Sequence, residues 1–418
     1  MSRWLWLLTE LSNRLWLRAS IYGIIAVITA LVSIYARRFI PSDIPQKIGA
    51  DAVDGILNIL ASSMLAVTIF SVSTMVSAYS AATNNVTPRA TRLLLEDKVS
   101  HSSLSTFIGS FIFSIVGIIA LRTGAYGDSG RLILFVVTIF IIVVIIVTLL
   151  RWIEYLSRLG RVSETVERVE KVTADALQER LDTPFLGGTP NLSNESGKGA
   201  AVFYNSAGYV QHIDMSLLSD IAKKLDYTIF IHAMPGKFVD PSFALATTSG
   251  KLEEDNFKDI RKAFIIGRER SFRQDPRFGF AVLSEIAIRA LSPAVNDPGT
   301  AIYVIGVGLR TLLLWADRPS YSATEEEIKY PLVYVPALTA DDLFDNFFSP
   351  IARDGAGILE VSLRLQKAFI ALNNTDDDDL KRAAVHYSRI SFERSMQAFT
   401  LQEDKERLSE LATNITGN

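Results

Sequence analysis

The chain contains no cysteine. That excludes disulfides, thiolate metal sites, iron–sulfur clusters and cysteine nucleophiles, whatever the compartment. Histidine is scarce as well. His101, His212, His232 and His386 stand far apart, with no pair one helical turn apart, so neither a metal centre nor a cofactor is expected. The chain also lacks a Gly-x-Ser-x-Gly nucleophile elbow, a Gly-x-x-x-x-Gly-Lys-Ser/Thr phosphate loop and a paired His/carboxylate motif. No catalytic residue is therefore nominated and no enzymatic activity is expected. A basic stripe is missing too: residues 151–418 hold 31 Lys/Arg against 38 Asp/Glu, and the whole chain of 418 residues carries −3. Such a charge balance argues against nucleic acid as a partner.

Charge is thinnest in the first 150 residues, which hold only 11 Lys/Arg and 7 Asp/Glu. Four uncharged runs lie there, between Arg18 and Arg37, Asp54 and Arg89, Lys98 and Arg122, and Arg131 and Arg151. Crossing about 30 Å of hydrocarbon takes roughly 20 apolar residues as a helix. The runs predict spans near 19–38, 55–82, 102–122 and 132–151. The first is of full span length and lacks a small-residue cleavage site, so it reads as an anchor and not a signal peptide. Before it, Trp4, Trp6 and Trp16 with Arg3, Arg14 and Arg18 suit an interfacial amphipathic helix. Lys/Arg in the N-terminus, the 83–98 loop and the segment after the fourth span total 11, against 5 in the two alternate loops. Both termini are thus predicted to be cytoplasmic. No Asp, Glu, Lys or Arg lies inside a span, which argues against proton-coupled transport.

The second span is rich in hydroxyls. At 100° per residue, Ser62, Ser63, Ser73, Thr74, Ser77, Ser80 and Thr83 fall in one half of the wheel, and Asp51 and Asn58 extend the strip. Two readings stand side by side. Copies of this helix around an axis would line a pore, with Asp51, Asn58, Ser62, Ser73, Ser77 and Ser80 facing it and Asp51 favouring cations at the outer mouth. Alternatively, small hydroxyl residues permit close helix packing and satisfy themselves on backbone carbonyls.

Beyond the fourth span, apolar residues from Ile153 to Leu177 recur at spacings of three and four, predicting one continuous helix with Gly160 as its weak point. Residues 182–199 are rich in Gly, Pro, Ser and Asn and read as a linker. AVFYN (201–205) and YVQHI (209–213) read as a hairpin about Ser206-Ala207-Gly208; TIFIHAM (228–234), FALATT (243–248) and PLVYVPAL (331–338) read as strands or extended segments. The stretch 264–315 reads as helix, elbow, helix: Ser292-Pro293 ends the first, and Asp297 caps the second before Pro298. Arg268, Arg270, Arg273 and Arg277 gather upstream, near Asp275. With Asn296 and Asp297 at the next helix start they suggest a pocket for a phosphate or carboxylate. An ion-pair network, or a basic face under the membrane surface, explains the same residues. The run Asp376–Asp379 lacks the alternating ligands of a calcium loop and reads as a helix cap.

On FRQDPRFGFAVLSEIAIRALSPAVNDPGTA (272–301), GYVQHID (208–214), PGKFVDPSFALA (235–246) and the four spans, the sequence resembles a bacterial family of predicted membrane proteins, domain of unknown function 2254. Asp240-Pro241-Ser242 departs from that family's pattern, standing where a second turn glycine is common. The resemblance implies four spans and a cytoplasmic domain, and carries no activity, substrate or cofactor. The expected fold is a membrane protein of four transmembrane α-helices followed by an α+β cytoplasmic domain. Its parts would be an interfacial helix (1–18), a transmembrane domain (19–151), a helical stalk (152–181), a linker (182–199), a small β-rich module (200–260) and a mainly helical domain (261–418). The expected setting is the bacterial inner membrane, with lipid, further copies of the chain, and ions or a small anionic ligand as partners. Either an ion channel or a membrane-anchored sensor or scaffold fits.

Overall fold

A computed structural model describes residues 50–95, 98–123, 127–192, 195–317 and 328–416, together with Ser20, Ile24, Ile28 and Val32. The expected interfacial helix and the bulk of the first expected span lie outside the described residues. The chain divides into two units, residues 1–84 with 91–164 and residues 85–90 with 165–418.

In the first unit, three long helices follow from the uncharged runs: α1 (Ala50–Asn85), α3 (Lys98–Arg122) and α4 (Gly127–Arg158), with the short α2 (Pro88–Leu95) between the first two. In hydrocarbon a helix satisfies every backbone group within itself, and these segments contain no proline inside to break the ladder. Val53 and Leu57 of α1 pack with Phe113 and Leu134, and Leu60 and Met64 pack with Phe107, Ile145 and Trp152. The Trp152 indole donates to Ser71 Oγ at 2.9 Å, and Ser100 Oγ donates to the Tyr155 hydroxyl at 3.0 Å.

Four described helices are long and apolar enough to cross a membrane, and only three of them are in this unit. The fourth is Pro298–Ala316, expected as the second arm of the elbow. Arg310 is its only charge, and half of its apolar window is buried inside the protein. The predicted continuous exit helix is also interrupted. α4 stops at Arg158, Gly160 adopts φ +86, and α5 (Val162–Asp182) begins anew. That left-handed conformation suits glycine, and a Cβ there would come 3.3 Å from the Ala78 carbonyl oxygen.

The second unit begins with α5 and holds two sheets and a helical layer. Its strands are β1 (Gly188–Pro190), β2 (Ala201–Phe203), β3 (Gly208–Ile213), β4 (Ile229–Ile231), β5 (Phe238–Val239), β6 (Ala244–Thr248), β7 (Phe264–Gly267) and β8 (Tyr330–Val335). One sheet runs β1-β8-β4-β6-β2 and the other β5-β3-β7. Helices α6 (Met215–Leu225) and α7 (Glu254–Lys262) accompany them. The predicted hairpin does not form: β2 pairs with β6, and β3 with β5 and β7. Val202 and Val210 enter one core from different sheets, so the intervening turn carries the chain across. The segment read as a linker is part of the sheet. Asn191 N–H donates to Val335 O at 2.9 Å, Gly197 N–H to Thr247 Oγ1 at 2.9 Å and Gly199 N–H to Thr248 O at 2.8 Å. Its glycines serve close backbone approach; a Cβ on Gly197 would meet Thr248 O at 2.3 Å.

The helical layer comprises α8 (Pro276–Leu291), α9 (Pro298–Ala316), α10 (Ala340–Asp354), α11 (Leu359–Asn373), α12 (Asp378–Ala398) and α13 (Gln402–Thr416). α8 packs on α9 and α10, and α11 on α9, α12 and α13. Phe280, Phe344, Phe347, Phe348 and Phe369 are fully buried at its centre. The predicted caps are present: Asp297 Oδ1 accepts from Thr300 N–H at 3.0 Å, and Asp377 Oδ1 from Asp379 N–H at 3.0 Å and Leu380 N–H at 2.9 Å. Asn85–Ala90, the connector that follows α1, also belongs to this unit. Val86 and Ala90 are fully buried, Thr87 Oγ1 accepts from Ala90 N–H, and Arg89 pairs with Glu285 of α8.

Candidate functional site

In the first unit the hydroxyl strip of α1 is open. Asn58, Ser62, Ser63, Ser73, Ser77, Ser80 and Thr83 are exposed, whereas Val53, Leu57, Leu60, Ala61 and Met64 form the buried stripe. Asp51 belongs to α1 by its backbone, and its side chain lies outside the described residues. Some hydroxyls are satisfied along their own helix: Ser62 Oγ donates to Asn58 O at 3.0 Å, Thr74 Oγ1 to Phe70 O at 2.9 Å and Thr83 Oγ1 to Tyr79 O at 2.8 Å. Asn58 donates to Asp54 Oδ2 at 3.1 Å, and Asp54 pairs with Arg122 at 3.5 Å. The strip is also interrupted. Between Ser63 and Ser73, a rise of about 15 Å, the exposed side chains are Leu65, Ala66, Ile69, Phe70 and Val72.

A second hydroxyl face, missed in the sequence, lies on α3. Ser103, Thr106, Ser110 and Ser114 are buried, and three of them donate to the carbonyl four residues earlier: Thr106 to Ser102, Ser110 to Thr106, Ser114 to Ser110. This is the close-packing use of small hydroxyl residues. Their spacing of three and four was visible, but lay inside an uninterrupted apolar run.

In the second unit the arginines do not gather as a group of four. Arg268 and Arg273 are exposed. Asn296 and Asp297 sit in an exposed elbow, where Asp297 is occupied by Thr300, its Oδ2 accepting from Oγ1 at 2.6 Å. Arg270 and Arg277 do converge, on Asp275. That carboxylate is 1% exposed; Arg270 Nε and Nη2 reach its Oδ2 at 2.9 and 2.6 Å, and Arg277 Nε reaches its Oδ1 at 3.2 Å. Arg277 Nη2 donates to Pro235 O at 2.7 Å. The ion-pair reading of these two arginines is the one the geometry matches, because a carboxylate this deep needs partners on both oxygens.

Gly236 completes the wall. Its φ is +87, and a Cβ would lie 1.9 Å from Asp275 Oδ2. Nearby, Asp240 Oδ1 accepts from Ser242 N–H at 2.7 Å, so an aspartate turn replaces the glycine expected there. Arg180 of α5 lies within electrostatic reach of this cluster. It is nearly wholly buried, and its Nη1 has no hydrogen-bond partner. Burial first, then the neighbouring Arg277, lowers its pKa to about 10 against the pull of Asp275 and Asp342. Asp342 of α10 stands 3.9 Å from Arg277 Nη1.

A model of predicted membrane proteins, domain of unknown function 2254, matches residues 12–371. The chain belongs to that family. It is similar to the uncharacterized protein Mb1321c of Mycobacterium bovis and the uncharacterized protein Rv1290c of Mycobacterium tuberculosis, each 35% identical over 105 residues. Those matches cover 24% of this chain and 20% of each relative, so the chain spans about a fifth of the curated relatives it matches. No solved structure matches it.

For this member of the DUF2254 family, among the described residues, no group of three or more His, Asp or Glu is placed to hold a metal ion. Arg180 was the residue the sequence hid. It follows Val166, Val169, Thr173, Ala176 and Leu177 as the next position of the buried stripe of α5. A guanidinium where an apolar side chain is due was the available signal.

Proposed function

We propose that this membrane protein assembles from several copies in the bacterial inner membrane, with the hydroxyl face of α1 around a central path for cations and the second unit as a cytoplasmic regulatory domain. The observation that carries the reading is the open strip on α1: the chain buries Ser103, Thr106, Ser110 and Ser114 of α3 within itself and leaves Ser62, Ser63, Ser73, Ser77, Ser80 and Thr83 of α1 exposed. Hydroxyls facing a water-filled path replace part of an ion's hydration, a use that an axis of several copies supplies and a lipid-facing position does not. The Lys/Arg bias supports the orientation. The test is current through the purified full-length protein in planar bilayers. Conductance that falls at least tenfold in Ser77→Phe and Ser73→Phe is expected. Absence of conductance under voltage, tension or ligand, or conductance indifferent to these substitutions, sinks the reading.

The second reading is a membrane-anchored sensor whose second unit binds an anion. The unpartnered Nη1 of Arg180 favours it, and it is compatible with the first if the ligand regulates the path.

A further inference from the structure

We propose that the second unit holds an oxyanion site with Arg180 as its innermost donor and Arg277 and Asp342 at its mouth, fitted to a phosphate group. Three guanidiniums, Arg180, Arg270 and Arg277, share this region with two carboxylates, Asp275 and Asp342. The cluster is thus one positive charge in excess, in a place largely withdrawn from water.

The hydrogen bonds show which donors remain. Arg270 spends Nε and Nη2 on Asp275, and Arg277 spends Nε on Asp275 and Nη2 on Pro235 O. Arg277 Nη1 has only Asp342 Oδ1, at 3.9 Å, beyond hydrogen-bond distance. Asp342 Oδ2 is committed to Thr339, accepting from its N–H at 3.1 Å and its Oγ1 at 2.9 Å. Arg180 Nη1 has no partner. Two guanidinium nitrogens, Arg180 Nη1 and Arg277 Nη1, are therefore left without a hydrogen bond, one deep and one near the surface, and the two cations repel each other.

A buried unpaired donor is costly, more so when charged, and an anion between the two edges removes both penalties together. Asp275 does not serve Arg180: its oxygens accept from Arg270 and Arg277, and Arg180 Nη1 has no hydrogen-bond partner. Access is from the Arg277 and Asp342 side, whose side chains are 24% and 38% exposed while that of Asp275 is 1% exposed. A tetrahedral oxyanion offers several acceptors to forked donors approaching from different directions, which is why guanidinium pairs suit phosphate. The same phosphate chemistry can arrive free or on a lipid headgroup. This site is independent of the proposed path through the membrane, so its failure leaves that reading standing.

The test is isothermal titration of full-length protein in detergent with inorganic phosphate, and in parallel with glycerol 3-phosphate as a headgroup probe, in chloride of matched ionic strength. Saturable binding is expected, at least tenfold weaker in Arg180→Met and in Arg277→Gln and severalfold tighter in Asp342→Asn. Preference for glycerol 3-phosphate points to a lipid source, and preference for phosphate to a soluble one. Thermal unfolding separates ligation from scaffolding. Arg180→Met should keep its ligand-free melting temperature and lose the rise with phosphate that the parent shows. If that variant fails to fold, the titration of Arg277→Gln decides. No saturable binding to the parent, or binding unchanged in the arginine variants, overturns the site.

Discussion

Asp275 is the buried carboxylate on which Arg270 and Arg277 converge, and its replacement gives the sharpest expectation. Asp275→Asn leaves Arg270 and Arg277 facing a neutral group beside Arg180, and should cost about 3–5 kcal/mol, read as a lower midpoint in chemical unfolding of the full-length protein. Gly236→Ala attacks the same wall from the backbone. A side chain at φ +87 with its Cβ 1.9 Å from a carboxylate oxygen should cost about 2 kcal/mol or more, against near neutrality for Ala207→Gly in an exposed connection as a control of the assay. His232 sets an acid limit. Its Nε2 lies 2.9 Å from Thr247 Oγ1, and burial lowers its pKa from 6.5. The folded state therefore disfavours the charged form, so stability is full above pH 6.5 and declines as the pH drops below it toward the folded value. His212 is shifted the same way by burial. A His232→Gln variant should show a shallower loss of melting temperature between pH 7 and 5; an identical profile would exclude His232 as a contributor. At this scale the sequence was partly legible. The arginines near Asp275 were visible as a cluster because they are adjacent in the chain, whereas Arg180 and Asp342 reach it only through folding of distant helices.

Among the elements, α1 has most to say about function. Its exposed face reads as two hydroxyl patches separated by Leu65, Ile69 and Phe70. If copies of α1 surround a water-filled path, these side chains form an apolar girdle that dewets and resists ions. Phe70→Ser and Ile69→Ser should then raise single-channel conductance or open probability severalfold; unchanged currents would place these residues against lipid. The periodicity of the strip was legible because α1 is long and uniform. The girdle was not, because a wheel projection discards position along the axis. The strands show the opposite limit. Residues 188–190 and 330–335 pair as parallel neighbours, and three-residue strands such as β1 carry too few alternations for a pattern to register. α9 shows that span-like composition alone does not settle an environment: Gly308 seats against the Phe347 ring, and Val304, Ile305, Val307 and Leu312 are fully buried.

Across the whole molecule, self-association is the expectation easiest to probe, since a chain without cysteine needs no background removal. Ser73→Cys and Ser77→Cys, on the open face of α1, should cross-link between copies in oxidised membranes. Leu57→Cys, on the buried face, should not. Equal cross-linking at all three positions, or none, would argue against an assembly through this face. The division into a membrane part and an α+β part was legible from charge density alone. Its boundary was not, because Asn85–Ala90 leaves one part by sequence and joins the other by packing. That strap also imposes an order on biogenesis. Arg89 and Glu285 are 196 positions apart, so at about 5–20 residues per second the strap emerges some 10–40 s before the helix it pairs with. Arg89 must wait without this partner through that interval, since Glu285 exists only once α8 has been made. Closure of the strap is therefore a late event of synthesis, and a ribosome stalled before residue 285 would release a chain with its inter-helix connector still unsatisfied.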